Sequence, residues 1–214
     1  MKPIILIAGC RKYEPYVIAA IHRFAAYKGW EVIGIIGDPT LSAAVYDPAT
    51  KLLTLPCSDV YEHLPAKLHA AYSWIAENRP GIPGIFKTDE DILFSLKDLT
   101  AAVEQHKGVP YWGVTASICK AAPVAQWRVS DRFSDVSQKP THQSAVYCFG
   151  AGYWISAMAL PIVVGASRDY KASALEDVCT GFVLNRAGIF PIKVRVPFSE
   201  MPRDAALLSL EKMP

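Results

Sequence analysis

Ile4-Ile-Leu-Ile-Ala-Gly-Cys-Arg-Lys-Tyr-Glu-Pro15 opens with five apolar residues, breaks at Gly9, and places a proline where a helix can begin. The apolar run reads as a buried strand, and Pro15 suits the first turn of a helix. Val17, Ile18, Ile21, Phe24 and Ala25 then recur at helical spacing, and Gly29 stops that helix. A second strand follows at Glu31–Ile36, ending at Gly37-Asp38-Pro39. Strand, helix and strand in this order form a unit of a parallel sheet.

The pattern continues downstream. Leu52–Leu55 is a short third strand, and residues 63–78 form a helix carrying Leu64, Leu68, Ala71, Tyr72 and Ile75. After the Pro- and Gly-rich loop 79–84 comes a strand at Ile85–Thr88, then a helix at Leu96–Gln105 and a strand at Tyr111–Val114. The second half is less regular. Strands are expected at Trp127–Val129 and Ala145–Phe149, with a polar loop at Ser130–Gln143 between them. Helices are expected near Tyr153–Val163 and Ala174–Arg186, a strand at Ile192–Val196, and a closing helix near Arg203–Lys212. The fold class is therefore α/β, Rossmann-like, with a mostly parallel central sheet flanked by helices.

The 214 residues suit one domain, and 51% apolar against 20% charged residues supports a real core. A net charge of +2 argues against a strongly basic nucleic-acid surface, so no nucleic-acid partner is expected. No run of about 18 apolar residues exists, so no membrane span is expected. Five scattered cysteines without a CxxC pair read as reduced thiols of a cytoplasmic protein and exclude a zinc ribbon. The five histidines include no HExxH and receive no role.

Ligands of open parallel sheets bind beyond the carboxyl ends of the strands. Those ends carry Gly9 and Arg11, Asp38, Asp59, and the triple Asp89-Glu90-Asp91, with Lys67 nearby. Such a crest suits a charged ligand with a cation. No GxGxxG follows the first strand and no GxxxxGK[ST] occurs, which disfavours a dinucleotide site and a Walker loop. If the chain stays extended past Thr88, Asp89 and Asp91 project to one side and can share one hard ion, Mg2+ or Mn2+. A solvated acidic turn would have the same sequence. Ser173-Ala-Leu-Glu176 reads as a capping box, with Glu176 closing a helix start. Asp177 is not needed for that cap and could serve as a general base. In Tyr147-Cys-Phe-Gly-Ala-Gly-Tyr-Trp154, Gly150 and Gly152 permit close backbone approach to a ligand. The aromatic residues there either stack on a sugar or fill the core.

Gly84-Ile-Phe-Lys-Thr-Asp-Glu-Asp-Ile-Leu-Phe94 resembles the Lys-Thr-Asp-Asp-Asp block of β-1,3-galactosyltransferase-like enzymes. Asp59-Val-Tyr-Glu-His-Leu-Pro-Ala-Lys67 is similar to that family's Asp-x-Tyr-x-Asn-Leu-x-x-Lys segment. Tyr147–Ser156 resembles its Tyr-Cys-Ser-Gly-Gly-Gly-Tyr block, and Glu176-Asp177-Val178 its Glu-Asp-Val. The blocks stand in the family's order across residues 59–186. The N-terminus is also similar to the glycosyltransferase domain of a large algal (chlorella) virus protein.

The resemblance implies a single GT-A catalytic domain, with a nucleotide-binding half at 1–115 and an acceptor half at 116–214. It implies a hexosyltransferase moving a hexose or deoxyhexose from a UDP-sugar to a hydroxyl of a glycan acceptor. Asp91 would be the main ligand of Mn2+ (or Mg2+), with Asp89 assisting or touching the ribose. Asp59 and Lys67 would lie near the nucleotide, as would Gly9, Arg11 and Asp38 at the crest. Gly150 and Gly152 would line the donor-sugar pocket, and Asp177 would take the acceptor proton, favouring inversion over retention. A monomer is expected.

Several positions depart from the family pattern. Glu90 replaces the middle aspartate, and no histidine follows His142, so the family's late metal-binding histidine is missing. Arg11-Lys12 only partly replaces an arginine-rich first helix. The family's Golgi anchor has no counterpart, which points to a viral or microbial enzyme or an excised domain. Two rival readings are a sugar-phosphate nucleotidyltransferase and an inactive glycan- or nucleotide-binding module.

Overall fold

The computed structural model describes residues 1–120 and 144–201. The expectations at Trp127–Val129, Ser130–Gln143 and Arg203–Lys212 lie outside them. The first strand, β1 (Ile4–Ala8), is buried along its whole length. It lies between β2 (Glu31–Gly37) and β5 (Gly84–Asp89), parallel to both. A strand enclosed on both faces can be apolar throughout, which explains the unbroken run. Ile4, Leu6 and Ala8 face one core, and Ile5 and Ile7 face the other.

β4 (Leu52–Leu55) extends the sheet parallel to β2, and β3 (Val45–Asp47) closes that edge antiparallel to β4. On the other side, β10 (Gly152–Ser156) runs antiparallel between β5 and β7 (Tyr111–Gly113). β11 (Ile192–Lys193) pairs parallel with β7 and forms the far edge. The eight-stranded order is β11-β7-β10-β5-β1-β2-β4-β3. Two small antiparallel ribbons flank it. One pairs β6 (Ile92–Phe94) with β12 (Phe198–Glu200), the other β8 (Ala116–Cys119) with β9 (Ala145–Cys148).

Helices α1 (Glu14–Ala25) and α3 (Leu96–Gln105) cover one face, through Val17, Ile21, Phe24, Leu96 and Leu99. The other face is covered by α2 (Leu64–Asn78), α4 (Leu160–Val164), α5 (Ser167–Ala172) and α6 (Glu176–Arg186). The sheet is mostly parallel and flanked by helices, as the alternation of elements requires.

Three expectations need correction. The helix expected from Tyr153 is strand β10, and only Leu160–Val164 is helical. Tyr153, Trp154 and Ile155 are buried between two other strands, and such a short apolar run has no period that tells strand from helix. The strand expected at Ile192–Val196 is only two residues long, because Val194 and Val196 turn into the core. The capping box at Ser173 does not form: the Ser173 hydroxyl donates to the Leu175 carbonyl at 3.1 Å, and α6 starts at Glu176 without a side-chain cap.

Candidate active site

Two clusters of charge stand side by side where the parallel strands end. The first gathers residues from four segments around Asp59. Gly37 N–H at the end of β2 donates to Asp59 Oδ1 at 2.8 Å. Arg11 N–H, just beyond β1, donates to Asp59 Oδ2. Lys67, on α2 and 2% exposed, donates to both Asp59 and the Gly9 carbonyl. The Asp59–Lys67 pair thus ties α2 to the ends of β1 and β2. Arg11 keeps its guanidinium half-exposed, 2.8 Å from Asp38 and 3.0 Å from Glu14. Hydrogen bonds from Thr40, followed by the guanidinium of Arg11, hold the Asp38 carboxyl below its usual range. Gly9 is sterically required, since a Cβ there would lie 2.2 Å from Val17 on α1. The structure therefore brings Gly9, Arg11, Asp38, Asp59 and Lys67 together.

The second cluster begins one strand away, where Asp89 stands opposite Ala8 in the sheet register. Lys87, 1% exposed within β5, donates to Asp89 Oδ1 at 2.7 Å, the Gly150 carbonyl at 2.9 Å and Glu176 Oε1 at 2.6 Å. Burial alone would lower its pKa, but Asp89 and Glu176 reverse the sign and keep the ammonium charged. The second oxygen of Glu176 accepts from Tyr153 at 2.7 Å, and Tyr153 meets Tyr72 of α2 at 2.8 Å. Glu176 is therefore a buried ion-pair partner, where the sequence suggested a helix cap. A buried carboxylate is tolerated because both its oxygens are bonded.

Asp177, the next residue, turns the other way. Its Oδ2 accepts Gly150 N–H at 3.2 Å and its Oδ1 accepts Val178 N–H at 2.8 Å. Desolvation, followed by repulsion from Glu176, pushes this carboxyl up to about 7. A Cβ on Gly150 would lie 2.9 Å from Glu176 Oε1 and 3.1 Å from Lys87 Nζ, so the turn needs glycine there. Gly152 is different. It is buried inside the sheet, and its missing side chain makes room for the Phe86 ring.

The extended chain expected through Asp91 is not present. β5 ends at Asp89, and Glu90-Asp91 form a turn into β6. The Asp91 carbonyl accepts Met201 N–H at 2.6 Å, fastening the start of β6 to the end of β12. Among the described residues, no three His, Cys, Asp or Glu side chains converge as a metal site. The carboxylates of Asp89 and Asp91 are hard donors at the end of a strand. This chemistry fits a divalent ion that keeps most of its shell as water.

Sequence reasoning gave no role to Lys87, and it left Tyr153 undecided between core and ligand. The signal for Lys87 was a charge inside an apolar strand, which implies a buried partner.

Residues 50–195 match the sequence model of the galactosyltransferase family. The chain belongs to that family. Over 173 residues it is 24% identical to beta-1,3-galactosyltransferase 1 of Mus musculus and Homo sapiens, a match covering 76% of this chain and 51% of theirs. Over 136 residues it is 31% identical to beta-1,3-galactosyltransferase 6 of Mus musculus, covering 61% and 39%. The chain thus spans about half the length, or less, of these galactosyltransferases. A solved glycosyltransferase involved in glycosylation of the major capsid of PBCV-1 superposes with a TM-score of 0.55 at 11% identity. That match covers 99% of this chain and 100% of the other, and it shows a shared fold of GT-A type. No helix among the described residues is long and apolar enough to cross a membrane.

Proposed function

We propose that this galactosyltransferase-family chain acts as a monomeric glycosyltransferase, moving a hexose or deoxyhexose from a UDP-sugar to a hydroxyl of a glycan acceptor with inversion. The observation that carries the reading is the junction at Gly150. Its N–H holds the Asp177 carboxylate, while its carbonyl binds the lysine that also holds Asp89. A base with a pKa of about 7 beside the ligand-binding crest is suited to take a hydroxyl proton at neutral pH.

In this reading Arg11, Asp38, Asp59 and Lys67 border the nucleotide. Gly150 keeps the turn beside the donor sugar free of a side chain. Asp177 accepts the acceptor proton on the face of the sugar opposite the leaving diphosphate, which yields inversion. Asp91 and Asp89 would hold Mn2+ or Mg2+, which supplies positive charge to the departing diphosphate. The free thiols of Cys10, Cys57, Cys148 and Cys179 support a reducing compartment, the cytoplasm.

The test is calorimetric titration of UDP and GDP, first with Mn2+ and then with EDTA. UDP binding that needs Mn2+, spares GDP and disappears in Asp91→Ala is the expected result. Asp177→Asn should keep that binding and lose transfer by roughly 100- to 10,000-fold, the usual worth of a general base. Absence of nucleotide binding in both conditions would refute the reading, and unchanged transfer in Asp177→Asn would refute the assignment of the base.

A further inference from the structure

We propose that Lys87 is a positioning residue for this transfer: its buried ammonium fixes the turn that presents Asp177 relative to the donor-side end of β5. The inference rests on the glycosyltransferase reading above and adds a residue to it. An ammonium has three N–H donors and no acceptor, and here it has three acceptors. They come from three different pieces of chain: Asp89 at the end of β5, the Gly150 carbonyl in the turn before β10, and Glu176 at the first turn of α6.

The placement makes the lysine a link between the two sides of the reaction. Gly150 offers its carbonyl to Lys87 and its N–H to Asp177; the two groups lie on the adjacent peptide units that meet at its α-carbon, so holding the carbonyl restrains the turn that aims the N–H. Glu176 adjoins Asp177 on the same helical turn, so its ion pair to Lys87 sets the rotation of α6 at the base. Asp89 shares the same ammonium, so donor-side carboxylate and base move as one piece. Nothing in packing alone demands a lysine here. Tyr153, whose ring centroid lies 5.7 Å from the ammonium, would accept an apolar neighbour, whereas a charge this deep is kept only where its partners repay desolvation.

Lys87→Met alone leaves the Glu176 carboxylate buried without its counterion and can unfold the chain. The decisive protein is therefore the double variant Lys87→Met/Glu176→Gln. It removes both charges and leaves Tyr153 an acceptor, while Asp89, 35% exposed, can turn to water. Two quantities are read: amide exchange at Gly150 against β1, and kcat with KM for a UDP-sugar and acceptor pair that the parent uses.

We expect Gly150 to exchange at least tenfold faster with β1 unchanged. We also expect kcat to fall about 10- to 100-fold, the scale of a misplaced catalytic group, with both KM values within threefold. Unchanged Gly150 exchange overturns the clamp. Faster exchange with unchanged kcat, or with only the donor KM raised, overturns the positioning role. A parent that transfers no sugar defeats the underlying reading instead, and the exchange measurement still decides whether Lys87 holds the turn.

Discussion

Asp177 answers to two opposing demands. Its burial raises the carboxyl to about 7, which suits the proton transfer proposed for it and costs stability. A carboxyl raised above its ordinary value near 4 binds its proton more tightly in the folded chain. Folded stability is therefore full below about pH 4 and declines as pH rises toward 7. Asp177→Asn has no such decline. Urea melts should find it more stable than the parent at pH 8, by roughly 1–3 kcal/mol, and nearly equal at pH 4.5. At this scale the sequence was partly legible. Asp177, Asp59 and Lys67 stood out through their spacing and family resemblance. Lys87 and Glu176 did not, because their meaning lies in each other, 89 residues apart. Local sequence offered Glu176 a cap that the folded chain does not use.

At the scale of elements, α6 depends on close approach to β9. A Cβ on Gly181 would lie 2.5 Å from the Tyr147 Cβ and 2.7 Å from the Val146 carbonyl oxygen. Alanine in a free helix stabilises by about 1 kcal/mol over glycine. Here the contact is with backbone, which cannot rotate aside, so overpacking dominates. Gly181→Ala should lower stability by about 1–3 kcal/mol in a thermal melt. Because α6 carries Asp177 four residues before Gly181, about one helical turn away, transfer should fall as well. The elements legible in sequence were those whose burial gives a clear pattern. β1, β2, β4 and β5 are apolar runs closed by turn residues, and α1, α2 and α3 repeat their apolar positions at helical spacing. The strands β3, β6, β8 and β12 are three or four residues long and owe their form to partners, so no local pattern announces them. β10 was missed for the opposite reason, since its buried aromatic run fits either geometry.

At the scale of the whole molecule, the centre of the sheet should be the last part to open. Amides of β1 and β5 are bonded on both sides and beneath helices, whereas β3 and β12 lie at exposed edges. Native-state hydrogen exchange should therefore be slowest in β1 and β5 and faster by orders of magnitude in β3 and β12. Equal rates across the sheet would contradict this order. The overall architecture was readable because alternation of strand and helix leaves few ways to build a sheet. The antiparallel strand β10 lay beyond that rule. It enters between β5 and β7, so the carboxyl-proximal part of the chain supplies a strand to the interior of the amino-proximal sheet. Neither part owns a complete sheet. A gene split between β8 and β9 would then encode two polypeptides that fold only in each other's company, an obligate heterodimer with the contact between Lys87 and Gly150 at the seam.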